Sequence, residues 1–180
     1  MKKMISALKN EKGFTVIEIL IVTALIAIMS SIAIPSYSVW LPNYRLKSAS
    51  RDLLSNFQLA KLTSIKKNCN CAITFNQPVL GTTYDYIVFV DADNDLEFDA
   101  GEEILTKILW ASYKNVLFDT SHGSVNFASN DDGLPATAFR TNGLPVSNTG
   151  AMGIGTVYLK NTRDKTSSVI LSASGNIRIP

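Results

Sequence analysis

Hydrophobic and polar positions divide the chain into three stretches with different patterns. Residues 14–34 are mostly apolar and contain a single charged residue, Glu18. This length is enough for one helix to cross a membrane. Farther along, apolar residues recur every three or four positions, at Leu46, Ala49, Leu53, Phe57 and Ala60. This period predicts an amphipathic continuation of the helix over residues 35–68, after a membrane-spanning part over residues 14–34.

Two prolines, Pro35 and Pro42, lie between the apolar run and the amphipathic stretch. Each removes one intrahelical hydrogen bond, so we predict that the helix bends or locally melts there. The alternative is a helix that ends at Ile34, followed by a short linker. The renewed helical period beyond Pro42 favours a bent but continuous helix.

Residues 69–180 have a different texture, in which short β-rich runs alternate with turn-forming segments. The predicted strands are 71–75, 84–90, 104–110, 116–118, 125–127, 156–160, 168–172 and 177–179. The predicted loops are 76–83, 131–135 and 142–150, which are rich in Gly, Pro, Asn and Ser. We therefore predict one β-rich head of the α+β class, with an antiparallel sheet packed on the helix.

The first thirteen residues form a basic leader. Its four lysines and one glutamate give a net charge of +3, so the remaining residues carry about −1 of the total +2. The leader precedes the apolar run, whereas an ordinary signal peptide is cleaved after its apolar core. Cleavage behind the leader would therefore keep the apolar helix on the mature protein.

The segment Gly13-Phe14-Thr15-Val16-Ile17-Glu18, with the apolar run after it, resembles the class III signal of type IV prepilins and type II secretion pseudopilins. The resemblance implies that residues 1–13 are a leader, which a prepilin peptidase removes after Gly13 before it methylates Phe14. It also implies that Glu18 pairs with the N-terminal ammonium of a neighbouring subunit during filament assembly.

Glu18 is also a functional candidate on physical grounds. A carboxylate within a membrane helix costs roughly 2.5–3.5 kcal/mol on insertion scales, and a cationic partner would offset that cost. The α-amino group of a mature chain that begins at Phe14 is the candidate partner. The alternative is an ordinary single-pass anchor in which Glu18 reaches the membrane surface.

The C-terminal half resembles the GspH/FimT group of minor pseudopilins and minor pilins. The resemblance rests on segments 139–145, 155–159 and 169–179, although Asn176 stands where the group often has an arginine. It implies a type IV pilin fold and a subunit of a pilus or of a type II secretion pseudopilus. The implied partners are the prepilin peptidase, other pilins or pseudopilins, inner-membrane lipid and the assembly platform. The implied location is the inner membrane, with the leader cytoplasmic and the head periplasmic, and then the filament.

DNA binding in uptake is the alternative function. The residues after the leader have no excess of positive charge, so such binding needs a local basic cluster. The candidate residues are Lys160, Arg163, Lys165 and Arg178.

An acidic stretch, 91–102, follows the apolar run YIVFV. Carboxylates fall at the first, third, fifth, ninth and twelfth positions, which are Asp91, Asp93, Asp95, Asp99 and Glu102. These are ligand positions of an EF-hand calcium loop, but the sixth position is Leu96, where such loops have glycine for a sharp turn. The preferred interpretation is a solvated acidic turn between strands, and a calcium site is the alternative.

No enzymatic activity and no other cofactor are expected. Cys69 and Cys71 lack zinc and haem spacing, and alternation predicts that both are small core residues on one strand face. A strained disulfide between them is the alternative. His122 is the only histidine and lies in a predicted turn. A hydrolase centred on His122 would need convergent polar groups around it.

Overall fold

A computed structural model describes residues 13–180 of the protein. The predicted leader therefore lies outside the described residues, except for Gly13. The chain divides into two compact units, Met1–Val39 and Trp40–Pro180, which are described in turn.

Helix α1 runs from Val16 to Lys67 without interruption in its secondary structure. The alternative of a helix end at Ile34 is therefore wrong. Pro35 and Pro42 both lie inside the helix. Each proline removes only one intrahelical hydrogen bond, and the residues on both sides of it remain helical. A bend of the helix axis at these prolines stays a prediction.

The part of α1 in the first unit is apolar and exposed. An 18-residue window has a mean hydropathy of 2.5, and none of it is buried. By length and composition, α1 is the one helix among residues 13–180 that could cross a membrane. Four hydroxyls in this part donate to carbonyls one turn earlier, those of Thr23, Ser31, Ser36 and Ser38. These polar side chains are therefore satisfied within the helix, as an apolar solvent requires.

The second unit is an α+β head with two five-stranded antiparallel sheets. The first has the order β3-β2-β1-β6-β7, and the second has the order β10-β9-β8-β4 with β5 also paired to β8. The strands are β1 (Asn70–Val79), β2 (Thr82–Asp91), β3 (Ile104–Ile108), β4 (Val116–Phe118), β5 (Val125–Asn126), β6 (Ala136–Phe139), β7 (Pro145–Val146), β8 (Gly155–Asn161), β9 (Thr166–Leu171) and β10 (Ile177–Arg178). Two 3₁₀ turns, Trp110–Tyr113 and Thr120–His122, complete the head.

The main core lies between α1 and the sheets. All five residues of the predicted helical stripe are buried in it. Phe57 of α1 lies among three rings of the head, with centroid distances of 6.0 Å to Phe127 and 6.5 Å to both Phe75 and Phe139. This part of the helix is therefore positioned by packing rather than by its own propensity.

A second, smaller core covers the other face of the first sheet. It contains Ala72, Val79, Ile87, Phe89, Leu96, Ala136, Ala138 and Val146. Because β1 sends Ile73 and Phe75 to the main core and Ala72 to the second one, the sheet is buried on both faces. The acidic segment after β2 lies against this second core through Leu96.

The cysteine prediction is half right. Cys71 lies in the main core beside Ile73 and Phe75, but Cys69 precedes β1 and is only partly buried. The reason is the helix C-terminus: Asn68 has a left-handed φ of 54°, and the Cys69 N–H donates to the Ser64 carbonyl at 3.3 Å. Cys69 is therefore part of the helix cap. Both thiols are free.

Candidate functional site

The start of α1 carries a reciprocal hydrogen-bonded cap. The Glu18 N–H donates to Thr15 Oγ1 at 3.2 Å, and the Thr15 N–H donates to Glu18 Oε2 at 2.8 Å. The Thr15 hydroxyl also donates to Oε2, at 2.9 Å. This is a capping box, in which Thr15 is the N-cap and Glu18 is the third helical residue. The spacing Thr-x-x-Glu in the sequence is a signal for it that sequence reasoning missed.

The cap fixes where the Glu18 carboxylate lies. Both bonds to the carboxylate involve Oε2, which places the group at the positive end of the helix dipole. Gly13, Phe14 and Thr15 precede the helix, and Gly13 is exposed. The predicted cleavage bond between Gly13 and Phe14 therefore lies in a non-helical, accessible segment, four residues before the carboxylate.

The part of α1 that follows the cap has an apolar surface that no other described part of the subunit covers. Phe14 is 87% exposed, and the other large apolar residues up to Ile34 are more than half exposed. They are Val16, Ile17, Ile19, Leu20, Ile21, Val22, Leu25, Ile26, Ile28, Met29, Ile32 and Ile34. An apolar surface of this extent marks a membrane or protein interface.

The acidic segment brings together three of its five predicted ligands. One carboxylate oxygen each from Asp91, Asp93 and Asp95 lies within 4.8 Å of the others. Asp99 is exposed and is not part of this group. Glu102 is also outside it, because its two oxygens accept from the Ala92 N–H at 2.9 Å and the Asp99 N–H at 3.1 Å. Glu102 therefore ties the segment together.

Leu96 makes the turn that glycine makes in EF-hand loops. Its φ is +64°, in the left-handed region, and its side chain is 2% exposed in the second core. Packing of the leucine side chain offsets the cost of this backbone conformation. A sharp turn therefore forms with leucine at this position, but among the described residues the segment follows strand β2 and not a helix, so it is not an EF-hand.

Asp91 is the buried member of the acidic group. Its Oδ1 accepts from the Asn94 N–H at 2.8 Å, whereas Oδ2 is buried with no hydrogen-bond partner in the described chain. Burial raises the pKa of Asp91 to about 6, and the charges of Glu102 and Asp95 add to the effect. The N–H groups of Asn94 and Leu96 oppose it.

The four basic residues of the DNA-binding alternative lie at three places in the second sheet: β8, the β8–β9 turn and β10. Arg163 and Lys165 lie in the β8–β9 turn near Lys160, but Arg178 is in β10, opposite Ile170, which itself lies opposite Thr156. This pairing places Arg178 and Lys160 on the same face of the sheet. The usual strand spacing and rise per residue put their Cα atoms about 16 Å apart. Lys160 Nζ also lies 3.9 Å from the buried Asp119 carboxylate. Lys165 instead lines a cleft together with Lys47 and Arg51 of α1. The sequence analysis did not identify this grouping of basic residues. DNA binding stays a prediction, which a salt-dependent affinity of the full chain would support.

His122 does not have the geometry of a catalytic triad. Asp119 Oδ2 lies 2.6 Å from His122 Nδ1, and Ser121 Oγ lies 3.2 Å from the same nitrogen. In a triad the carboxylate and the serine contact opposite ring nitrogens. The His122 side chain is 59% exposed on a 3₁₀ turn, so the observed contacts are those of a turn.

Comparisons with known proteins agree with this architecture. The family model described as "Type II transport protein GspH" matches residues 49–175, and the "Prokaryotic N-terminal methylation motif" matches residues 8–34. "Prepilin peptidase-dependent protein D" of Escherichia coli K12 is 44% identical over 48 residues. That alignment covers 27% of this chain and 30% of the relative, so less than a third of the relative is matched.

A solved structure supports the fold. The type IV minor pilin FimU of Pseudomonas aeruginosa PAO1 superposes with a TM-score of 0.52 at 14% identity, over 78% of this chain and 92% of that one. This confirms the predicted type IV pilin fold. The methylation motif implies processing by a prepilin peptidase and pilin-type filament partners. Because the GspH model matches most of its length, the chain belongs to the GspH family of type IV pilin-like proteins.

Proposed function

We propose that this chain is a non-enzymatic minor pilin or minor pseudopilin. Residues 14–34 hold it in the inner membrane, and it is then assembled into a filament near its tip or sparsely along its length. The observation that carries the proposal is the exposed apolar part of α1, whose first turn holds a capped carboxylate. Such a surface needs a lipid environment first and neighbouring apolar helices afterwards.

Removal of the leader is the first step. In the uncleaved chain the nitrogen of Phe14 is an amide, which carries no charge. Cleavage after Gly13 converts it into an ammonium that could pair with a carboxylate. The basic leader also favours retention of the N-terminus in the cytoplasm, which puts the head in the periplasm. Cleavage therefore creates the assembly group and removes the lysines that oppose its transfer into a filament.

Charge pairing is the second step. The ammonium of one mature chain binds the Glu18 carboxylate of a neighbour, and each charge offsets the desolvation cost of the other in the apolar filament core. The capping box contributes by holding Oε2 at the helix start, so that the carboxylate loses less side-chain freedom when it pairs. The inner-membrane assembly platform then moves the paired subunit out of the bilayer.

The experiment that tests this function is co-expression with a prepilin peptidase, followed by intact-mass measurement of the protein recovered from membranes. We expect a chain that starts at N-methylated Phe14. Gly13→Val is expected to remain uncleaved, because a β-branched side chain replaces the glycine hydrogen at the scissile bond. A wild-type chain that retains residues 1–13, or that is cut after Pro35, would contradict the proposal.

The machine that the subunit serves is tested in the native host. A deletion strain is compared with one complemented by the wild-type chain, by counting surface pili and measuring exported proteins. Loss of pili with normal secretion assigns the chain to a type IV pilus. Loss of secretion with normal piliation assigns it to a type II secretion pseudopilus.

A further inference from the structure

The acidic segment of the head differs from a solvated turn in one respect, the burial of Asp91. The segment 91–102 contains six acidic residues and no lysine or arginine. A turn kept soluble by its charges would expose its carboxylates to water. Asp91 is instead 0% exposed, although Asp93 next to it in the group is exposed. The preferred interpretation from the sequence therefore does not account for Asp91.

The second carboxylate oxygen of Asp91 is the unexplained group. Oδ2 is buried and has no hydrogen-bond partner among the described residues, while Oδ1 already accepts from Asn94. A buried carboxylate oxygen without a partner is costly, since the water that it loses is not replaced. The raised pKa of Asp91, about 6, has the same cause. The fold therefore leaves one oxygen of a buried carboxylate without a partner beside two other aspartates.

The surrounding fold prevents the segment from relieving this cost by moving outward. The Leu96 carbonyl accepts from the Thr74 hydroxyl at 3.1 Å and from the Asn130 side-chain amide at 3.0 Å. The Leu96 side chain is anchored in the second core, and Glu102 joins the two ends of the segment through Ala92 and Asp99. The three aspartates are therefore held together by contacts that lie outside the group.

We propose that Asp91, Asp93 and Asp95 bind a calcium ion, with the buried Oδ2 of Asp91 as one ligand. The group offers hard carboxylate oxygens at alternate positions of one segment, and its negative charge has no counter-ion within the segment. Calcium accepts irregular oxygen coordination that backbone carbonyls and water complete, whereas magnesium demands near-octahedral geometry. Asp99 and Glu102 are not ligands in this proposal: Asp99 is exposed, and Glu102 holds the segment.

The expected affinity is that of an extracellular module rather than that of a cytosolic sensor. Modules outside the cell bind calcium with dissociation constants on the order of 10⁻⁴–10⁻³ M, and fewer charged ligands weaken binding. Three carboxylates fit this range. Calcium would stabilise the head by binding the folded state only, as any such ligand does. This inference is independent of the filament function, because it concerns the head alone.

The test is calcium titration of the purified full chain in detergent micelles, after removal of metals with a chelator. Equilibrium dialysis with radioactive calcium measures the stoichiometry and the dissociation constant, and near-UV circular dichroism follows thermal unfolding. We expect one calcium per chain and a higher unfolding temperature in calcium than in chelator. Magnesium at the same concentration is expected to bind more weakly.

Asp93→Asn is the decisive variant, because the residue is exposed and its replacement should leave the fold intact. We expect it to raise the dissociation constant about tenfold or more through the loss of one charged ligand. Asp164→Asn, with the same charge change in the β8–β9 turn, is the matched control and should keep the wild-type constant. The proposal is overturned if calcium does not bind saturably, if Asp93→Asn binds like the wild type, or if magnesium binds equally well.

Discussion

The apolar side chains in the two parts of helix α1 differ in solvent exposure. In the first part, Leu20 and Ile26 are more than half exposed, although this is the most apolar sequence in the chain. In the second part, Leu53 and Phe57 are fully buried among the sheets of the head. Hydrophobicity alone therefore does not reveal which residues stabilise the subunit.

The difference separates folding from assembly. Burial of the second part contributes to the free energy of folding of the head. Exposure of the first part contributes nothing to the folding of a lone subunit, and under the proposed function its apolar side chains contact lipid and then other subunits. Substitutions in the two parts should therefore change different measurements.

The largest effect is expected from Glu18→Ala. The variant should insert into the membrane at least as well as the wild type, because an intramembrane carboxylate is removed. It should nevertheless be absent from sheared filaments, because the incoming ammonium finds no partner. The measurement is immunoblotting of sheared filaments and of membranes from the same cells.

Thr15→Val separates charge pairing from helix capping. It removes the hydroxyl that bonds the Glu18 N–H and Oε2 but keeps the carboxylate. We expect partial incorporation into filaments, since a cap contributes only about 1 kcal/mol. Complete loss in Thr15→Val would assign the role of Glu18 to capping rather than to charge pairing.

The next largest effect is expected from Phe57→Ala, which removes a ring from the main core. Substitutions of this kind cost roughly 3–5 kcal/mol of unfolding free energy, because they leave a cavity among the neighbouring rings. The measurement is denaturant unfolding of the full chain in micelles, followed by near-UV circular dichroism. Ile26→Ala, in the exposed part, is the matched control and should leave the unfolding of the head unchanged. Equal destabilisation by both variants would contradict the division between the two parts.

The sequence predicts the helix better than the sheets. The apolar run and the five-residue stripe are local periodic patterns, so the positions of exposure and burial along α1 follow from them. Most of the predicted loop 76–83 belongs to β1 and β2, which leave only residues 80–81 between them. Strand β6 (Ala136–Phe139) was missed, and β7 (Pro145–Val146) was assigned to a loop. Both are short and lie in a stretch rich in glycine and proline. Strand β6 forms by pairing with β1, a long-range contact without a local signal, and β7 then pairs with the free edge of β6.

For the candidate sites too, the sequence predicts features that have a local pattern and misses those that depend on long-range contacts. The Glu18 position could be predicted, because a charge in an apolar run and a glycine before it are visible in the sequence. The burial of Asp91 could not, since it depends on Leu96, Thr74 and Asn130, which come together only in the folded head. Spacing in the sequence indicated five acidic ligands, but the fold brings three together.

A smaller effect is expected at Asp119, a fully buried carboxylate of the head. Hydrogen bonds from Ser121 hold its pKa below the ordinary value of 3.8, and contact with His122 lowers it further. A carboxylate with a lowered pKa in the folded state stabilises the protein above its unfolded pKa, and this contribution is lost as the pH falls. We therefore expect the unfolding temperature to fall on acidification from about pH 5 to about pH 3.

Asp119→Asn tests this pH dependence. The amide cannot titrate, so the variant should be less stable than the wild type near neutral pH and should show a smaller decrease on acidification. Asp164→Asn, the same substitution at an exposed position, should keep the wild-type pH profile. An unchanged profile in Asp119→Asn would mean that other carboxyl groups cause the acid sensitivity.

The smallest perturbation, thiol alkylation, distinguishes the closed head from the accessible end of α1. Burial raises the pKa of Cys71 to about 12, so its reactive thiolate is scarce and inaccessible in the native state. Cys69, in the cap of α1, is partly exposed. We expect intact-mass analysis to show modification of Cys69 alone in the native chain and of both thiols after denaturation without reductant. Failure to modify either thiol under those denaturing conditions would instead indicate the strained disulfide, and rapid modification of Cys71 in the native chain would show that the core beneath α1 opens readily.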